Sequence, residues 1–121
     1  MKILQSSENY LETIFILHQR QGSVRSVDIA TELNFSKASV SVAMKQLREN
    51  KYITMDENSY ISLLPKGLEI AEKMYERHVI LSQLLVKIGV DEEVASEDAC
   101  KIEHVISSET FYAIKSFLAK M

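Results

Sequence analysis

The chain has 121 residues, of which 46% are hydrophobic and 26% are charged. This length and composition suit a globular protein of one domain or two small ones. No apolar run approaches the roughly 18 residues of a membrane span, and the N-terminus lacks the layout of a secretory signal, so we expect a cytoplasmic protein. One cysteine cannot form an internal disulfide. The net charge of −3 does not itself suggest nucleic acid, but between Ser36 and Lys51 four basic residues stand against one acidic residue.

The first half of the sequence predicts a helix-turn-helix. Apolar residues at helical spacing predict three helices, near residues 7 to 20, 26 to 33 and 36 to 50. The candidate N-caps are Ser6 or Ser7 for the first helix, Ser26 for the second and Ser36 for the third. Gln21 and Gly22 are expected to end the first helix. The second and third helices are separated by a very short turn, which is typical of a helix-turn-helix.

The rest of the chain predicts a wing and further helices. Tyr52-Ile53-Thr54-Met55 and Tyr60-Ile61-Ser62-Leu63 flank the polar stretch 56 to 59, which indicates a β-hairpin. Three helices are then expected, near residues 67 to 88, 92 to 107 and 108 to 120, with Gly89 ending the first of them. The predicted fold class is mainly α. A winged helix-turn-helix domain would occupy residues 1–66 and a helical domain residues 67–121.

The third helix is the candidate DNA-reading element. The major groove admits a helix whose first turns are slim and polar, and this helix begins with Ser36, Lys37, Ala38, Ser39 and Ser41. Arg48 and Lys51 lie further along, where they could contact the DNA backbone. In the alternative reading, Ser36 only caps the helix and the serines are solvated. Asp56 and Glu57 at the hairpin tip would repel phosphates and argue against a strong wing contact.

Three residues near the C-terminus have the spacing of metal ligands. Cys100, Glu103 and His104 stand at i, i+3 and i+4 and would share one face of a helix. A thiolate, a carboxylate and an imidazole suit a divalent ion such as Fe(II), Mn(II), Zn(II) or Co(II). Other helices would have to complete the site, and Glu12 and His78 are the candidates. Alternatively, Cys100 is a small buried hydrophobe and each histidine is a hydrogen-bonded structural residue.

Six short motifs, in this order and spacing, resemble the diphtheria toxin repressor family of iron- and manganese-dependent bacterial repressors. They are Glu8-Asn9-Tyr10-Leu11-Glu12, Val27-Asp28-Ile29-Ala30, Lys66-Gly67, Arg77-His78, Ile88-Gly89-Val90-Asp91 and Asp98-Ala99-Cys100-Lys101-Ile102-Glu103-His104. The resemblance implies an N-terminal winged helix and a C-terminal helical metal-binding and dimerisation domain.

The resemblance also implies a set of metal ligands. Glu103, His104 and His78 match ligand positions, and Glu12 matches a carboxylate of the manganese-type members. The position of Cys100 is a cysteine in iron-type members and a carboxylate in manganese-type members. The resemblance therefore implies Fe(II) or Mn(II) as the cofactor, with no choice between the two.

Three positions depart from the family pattern. Asn9 stands where the manganese type has an aspartate and the iron type a methionine, and its amide oxygen could still be a weaker ligand. Ser82 and Ser96 stand where iron-type members have ligands of a second metal site. We therefore expect that second site to be incomplete.

These features together predict a metal-dependent DNA-binding transcriptional regulator, a repressor of metal-uptake genes with Fe(II) or Mn(II) as corepressor. Metal is expected to tie the first helix to the Cys100 helix and to promote binding to a palindromic operator. A homodimer is expected through the last two helices, whose apolar residues are Ile106, Phe111, Ile114, Phe117 and Leu118.

The sequence leaves three other functions as alternatives. One is a winged-helix regulator that senses a non-metal signal, with Cys100 as a redox or structural thiol. Another is a protein-interaction module without DNA binding. The third, an enzyme such as a metal-dependent hydrolase, is disfavoured because we find no adjacent nucleophile and base, no glycine-rich phosphate loop and no helix motif that joins metal ligands to a general base.

Overall fold

The structure, a computed structural model, describes residues 4–121 and contains six helices and one two-stranded sheet. In chain order the elements are α1 (Gln5–Gln21), α2 (Ser26–Leu33), α3 (Lys37–Glu49), β1 (Ile53–Met55), β2 (Ile61–Leu63), α4 (Pro65–Lys87), α5 (Glu92–Ile102) and α6 (Ser108–Ala119). The predicted mainly α fold class is confirmed. The chain divides into two compact units, the first ending at Glu72 and the second spanning Lys73–Met121. Among the helices of residues 4–121, none combines the length and the apolar character needed to cross a membrane.

The core of the first unit lies among its three N-terminal helices, the hairpin and the first turns of α4. In α3, Val40, Met44 and Leu47 are buried at the predicted helical spacing. They pack with buried residues of the other elements, which include Leu11, Ile14, Leu17, Val24, Ile29, Ile53, Ile61 and Ala71. The helix-turn-helix is therefore held by apolar stripes that face one another.

The helix ends agree only in part with the predicted caps. Ser36 caps α3 as predicted, because its Oγ accepts the backbone N–H of Ser39 at 3.1 Å. Gly22 ends α1 with a φ of 86°, a conformation that glycine adopts without strain. The cap predictions for Ser6, Ser7 and Ser26 are wrong. Leu4 is the N-cap of α1, and Ser26 is the first residue of α2 because the Arg25 N–H donates to the Asp28 carboxylate at 2.8 Å.

The predicted wing hairpin is confirmed. The two strands pair antiparallel, with Thr54 opposite Ser62. At the tip, the Asp56 carboxylate accepts backbone N–H groups from Asn58 at 2.8 Å and from Tyr60 at 3.0 Å. This acidic side chain therefore shapes the turn.

Contacts with α1 and with the segment before α2 anchor the hairpin. The N–H of Ile61 donates to the Val24 carbonyl at 2.7 Å. The imidazole of His18 has one nitrogen 2.8 Å from the Gly22 carbonyl oxygen and the other 2.8 Å from the Ile61 carbonyl oxygen. The side chain of His18 thus links the end of α1 to β2.

The helices α4, α5 and α6 depart from the prediction at their ends. α4 starts at Pro65, two residues before the predicted start at Gly67, as suits a proline in a first helical turn. The predicted continuation of α5 to Ser107 is wrong, because the helix ends at Ile102. The last helix ends at Ala119, one residue before the predicted end.

The apolar residues of the second unit are also distributed differently from the prediction. Ile88, which follows the last residue of α4, is 69% exposed. Phe111 was expected in the dimer surface, but it is buried. Val105 and Phe117 are exposed.

We predict that Gly67→Ala lowers the free energy of unfolding by about 1 to 3 kcal/mol, the usual cost of overpacking a filled site. A Cβ at Gly67 would overlap the backbone carbonyl oxygen of Tyr52 and lie 3.3 Å from Leu11 Cδ2. Urea denaturation followed by circular dichroism measures the effect. Glu69→Ala, at an exposed position of the same helix, is the control and should change little. Equal stability of the two variants would contradict this packing.

Candidate functional site

The seven residues predicted to contact DNA form an exposed surface on and around α3. They are Ser36, Lys37, Ala38, Ser39, Ser41, Arg48 and Lys51, and every one of them is exposed. Lys51 follows the helix with a φ of 65°, which turns the chain toward β1. The basic residues therefore lie at both ends of the helix whose inner face holds the core.

Some of these side chains have partners within the protein. The hydroxyl of Ser36 donates to Ser39 Oγ at 2.9 Å and also accepts the Ser39 N–H. Arg48 Nη1 lies 3.6 Å from the sulfur of Met55, so this side chain reaches from α3 to the wing. The capping role that the sequence left as the alternative for Ser36 is therefore present in the structure.

A buried carboxylate contacts two imidazoles in the second unit. Glu103 is completely buried, and its Oε2 lies 3.1 Å from Nδ1 of His78. Its other oxygen, Oε1, lies 3.4 Å from Nε2 of His104. The side chain of His104 is 2% exposed and that of His78 is 24% exposed. Three predicted metal ligands are thus brought together, from α4 and from the segment that follows α5.

These residues meet because of how α5 ends. Glu103 is the C-cap of α5 and His104 lies in the turn that follows, so of the three residues predicted on one helix only Cys100 lies within α5. Arg77 Nη1 donates to the backbone carbonyls of Glu103 and Ile106, both at 3.0 Å. Arg77 precedes His78 on α4. One residue therefore binds the backbone of Glu103 while the next contacts its side chain.

Further bonds of Arg77 fix the start of α6. Nη2 donates to the Ser108 hydroxyl at 3.2 Å, and the guanidinium carbon lies 5.5 Å from the centre of the Phe111 ring. Arg77 is 5% exposed. Carbonyl oxygens at the end of a helix carry partial negative charge, which suits a buried cation. Arg77 is thus the structural centre of the turn that carries Glu103 and His104.

The remaining predicted ligands lie on α1 and α5. Cys100 lies on α5 and is exposed. Asn9 is half-buried and Glu12 is buried, both on α1 of the first unit. The prediction that Asn9, Glu12 and Cys100 are ligands stays a prediction.

The two serines at the expected second site lie beside a cavity of about 670 Å³ in the second unit. Ser96 Oγ lies 3.3 Å from Nε2 of His78. Ser82 Oγ is buried and, among residues 4–121, makes no hydrogen bond. Hydroxyl groups are weak ligands compared with carboxylates or imidazoles.

The donor set around Glu103 fits a divalent transition metal. Burying a carboxylate is costly unless a cation or several hydrogen bonds compensate it. Two imidazole nitrogens and a carboxylate are ligands that Fe(II), Mn(II) and Zn(II) accept. The residues that are present therefore match the cofactor class that the sequence predicted.

Comparisons with known proteins identify both parts of the chain. A family model for the N-terminal DNA-binding domain of iron-dependent repressors matches residues 2–59. A second model, for the metal-binding and dimerisation domain of the same repressors, matches residues 64–121. An uncharacterized HTH-type transcriptional regulator of Methanocaldococcus jannaschii is 34% identical over 118 residues, which are 96% of this chain and 94% of that protein.

Two further relatives extend the comparison. The HTH-type transcriptional regulator MntR of Geobacillus thermodenitrificans is 36% identical over 102 residues, covering 84% of this chain and 72% of that protein. The solved structure of IdeR from T. acidophilum shares the fold, with a TM-score of 0.84 at 24% identity. The match covers 98% of this chain and 56% of that structure, so the chain spans little more than half its length.

The fold, the donor set and the matched domains define a metal-dependent, DNA-binding transcriptional regulator rather than an enzyme. The chain belongs to the iron-dependent repressor family, and the resemblance seen in the sequence motifs is confirmed. The two matched domains make DNA and a second copy of the chain its partners. A divalent metal of the iron or manganese kind is its cofactor class.

Sequence reasoning missed the part played by Arg77. In the sequence, Arg77 lies at helical spacing from the apolar residues Met74 and Leu81, and a charged residue in that apolar stripe was the available signal. An arginine in an apolar stripe needs several acceptors. The acceptors are the carbonyls of Glu103 and Ile106, which follow α5, and the hydroxyl of Ser108, the first residue of α6.

We predict that Arg77→Met lowers the free energy of unfolding by about 2 to 4 kcal/mol, because two carbonyl groups lose their buried donor. Hydrogen exchange should show faster exchange at the amides of residues 103 to 108. Lys115→Met is the matched control, since it also replaces a cation by methionine, but it removes an exposed ion pair, to Glu76 at 2.8 Å, instead of buried bonds to carbonyl groups. If Lys115→Met destabilises the protein as much, the assigned importance of Arg77 is wrong.

Proposed function

We propose that the protein represses metal-uptake genes when it holds Fe(II) or Mn(II), and that it binds a palindromic operator as a homodimer. The observation that carries this proposal is the buried Glu103 carboxylate in contact with His78 and His104. A regulator of this kind must reach the chromosome, so we also propose that it acts in the cytoplasm.

In this proposal Glu103, His78 and His104 hold the metal, and Cys100, Glu12 and Asn9 complete its coordination. The first three are supported by their contacts in the second unit, and the last three by the family resemblance. Bound metal would supply the positive charge that compensates the buried carboxylate. Glu103 would supply a carboxylate oxygen, and each histidine a neutral nitrogen whose proton has been lost.

Any coupling between metal binding and DNA binding must act in both directions. The proposed ligands come from both halves of the sequence, and the DNA-contacting residues belong to the first half. If metal strengthens DNA binding, DNA strengthens metal binding by the same factor. Such couplings are typically about 1 to 3 kcal/mol.

On the DNA side, α3 would enter the major groove. Lys37 at its start would contact a guanine or a phosphate, and Ser41 a base edge or a phosphate. Arg48 and Lys51 at its end would contact the DNA backbone. The exposure of all four side chains supports these assignments.

The proposed dimer uses the apolar residues that α6 leaves exposed. Tyr112 is 61% exposed and Phe117 is 58% exposed, whereas Phe111 is buried beside Arg77 and is unavailable to a partner. Two copies related by a two-fold axis would present two α3 helices to the DNA. This arrangement is the reason to expect a palindromic operator.

We predict that Glu103→Gln weakens Mn(II) binding at least about tenfold, as expected when a charged ligand is lost. It should also abolish the dependence of DNA binding on metal. Lys37→Ala should leave Mn(II) binding unchanged and weaken DNA binding in the presence of metal. Isothermal titration calorimetry measures the Mn(II) affinity. Fluorescence anisotropy with promoter DNA at constant salt, with and without metal, measures the DNA affinity.

Each variant serves as the control for the other. Glu103→Gln keeps the size of the side chain, and Lys37→Ala changes an exposed position, so circular dichroism should show that both are folded. The proposal fails if Lys37→Ala abolishes metal binding, or if Glu103→Gln retains full metal-dependent DNA binding.

A further inference from the structure

The outward face of α3 carries an exposed valine that the candidate DNA surface did not include. Val42 is 60% exposed, whereas Val40 and Met44 on either side of it are buried in the core. Ala38 lies one helical turn before Val42 and Gln46 one turn after it, and both are exposed. Val42 is thus at the middle of the surface that α3 presents to solvent.

An exposed valine alone would need no explanation on most protein surfaces. Here its position is informative, because α3 lies within residues 2–59, which match a DNA-binding domain. Among the described residues, Val42 is the one large hydrophobic side chain that α3 leaves exposed. An apolar group at the centre of a polar helix face favours an apolar partner on the DNA.

The serine pair at the start of α3 strengthens this argument. The hydroxyl of Ser36 donates to Ser39 Oγ at 2.9 Å and, as the helix cap, accepts the Ser39 N–H. The Ser36 hydroxyl would have to give up its bond to Ser39 Oγ to donate to a base. Apolar contacts from the next turns of the helix therefore contribute more to base recognition than hydrogen bonds from Ser36.

The major groove offers one apolar group to such a contact. Thymine carries a methyl group at C5, whereas the other base edges present hydrogen-bond donors and acceptors. A valine has no hydrogen-bonding atom in its side chain, so it cannot satisfy those polar edges. The Cγ methyl groups of Val42 match the thymine methyl in chemistry and are free to approach it.

We propose that Val42 is a specificity-determining residue that contacts a thymine methyl group in each operator half-site. The inference rests on the proposed function, because it requires that α3 enters the major groove. It adds a defined base preference to the contacts already assigned to Lys37 and Ser41.

Substitution of thymine by uracil in the DNA tests this contact, because it removes the methyl group alone. A duplex is first selected from a random-sequence library by the wild-type protein with Mn(II). Each thymine is then replaced by deoxyuridine in turn, and affinities are measured by fluorescence anisotropy. We expect one position per half-site where the change weakens wild-type binding about threefold to tenfold, as for the loss of one buried methyl group.

The same duplexes are then tested with Val42→Ala and with a matched control. Val42→Ala should bind the thymine and uracil duplexes with equal affinity at that position, while keeping its metal affinity. Val27→Ala is the control, since Val27 is 45% exposed on α2 and receives the same truncation. It should retain the full preference for thymine. Both positions are exposed, so thermal melting should show that both variants are folded.

The outcomes separate this inference from the proposed function. If no sequence is enriched, the proposed function and the inference are both wrong. If a sequence is enriched but wild-type protein shows no methyl-sensitive thymine, only the inference is wrong. It is also wrong if Val42→Ala keeps the preference for thymine, or if Val27→Ala loses it.

Discussion

The buried guanidinium of Arg77 determines the arrangement of the second unit. A cation that is 5% exposed must be surrounded by acceptors, and Arg77 finds them in the carbonyls of Glu103 and Ile106 and in the hydroxyl of Ser108. Those carbonyls are available because α5 ends at Ile102. The same bonds hold the chain so that the Glu103 side chain meets His78. The position of the candidate metal centre thus depends on a structural bond network made by the neighbouring residue.

The two units use polar groups in different ways. In the first unit, caps and turns satisfy polar side chains locally, as Ser36 does for α3 and Asp56 does for the hairpin tip. The basic side chains stay exposed, which suits contact with phosphates. In the second unit, the Glu103 carboxylate is removed from water and contacts two imidazoles. A neutral imidazole compensates a buried negative charge only weakly. A divalent cation would compensate the carboxylate more fully, and this difference is the physical basis of the proposed metal response.

Features governed by local chemistry could be predicted from the sequence, and features governed by distant contacts could not. Three local features correctly predicted elements of the first unit. They are the spacing of Val40, Met44 and Leu47, the glycine at the end of α1, and the two segments rich in β-branched and aromatic residues that flank the polar stretch 56 to 59. The caps at Ser6 and Ser26 failed because a serine in a first turn looks the same whether or not it caps. No glycine or proline marks the end of α5. That end is stabilised by Arg77, 26 residues earlier, a contact that helical periodicity does not reveal. The pairing of His78 with Glu103 was implied by the family resemblance and not by spacing.

The central claim is that Glu103, His78 and His104 form the metal-binding centre. Anomalous diffraction from crystals of the protein grown with Mn(II) tests it most directly, because the method locates the ion independently of any assumed ligand. The account predicts an anomalous peak bonded to the Glu103 carboxylate and to both imidazoles. A peak elsewhere, with Glu103 still in contact with the two histidines, would contradict it.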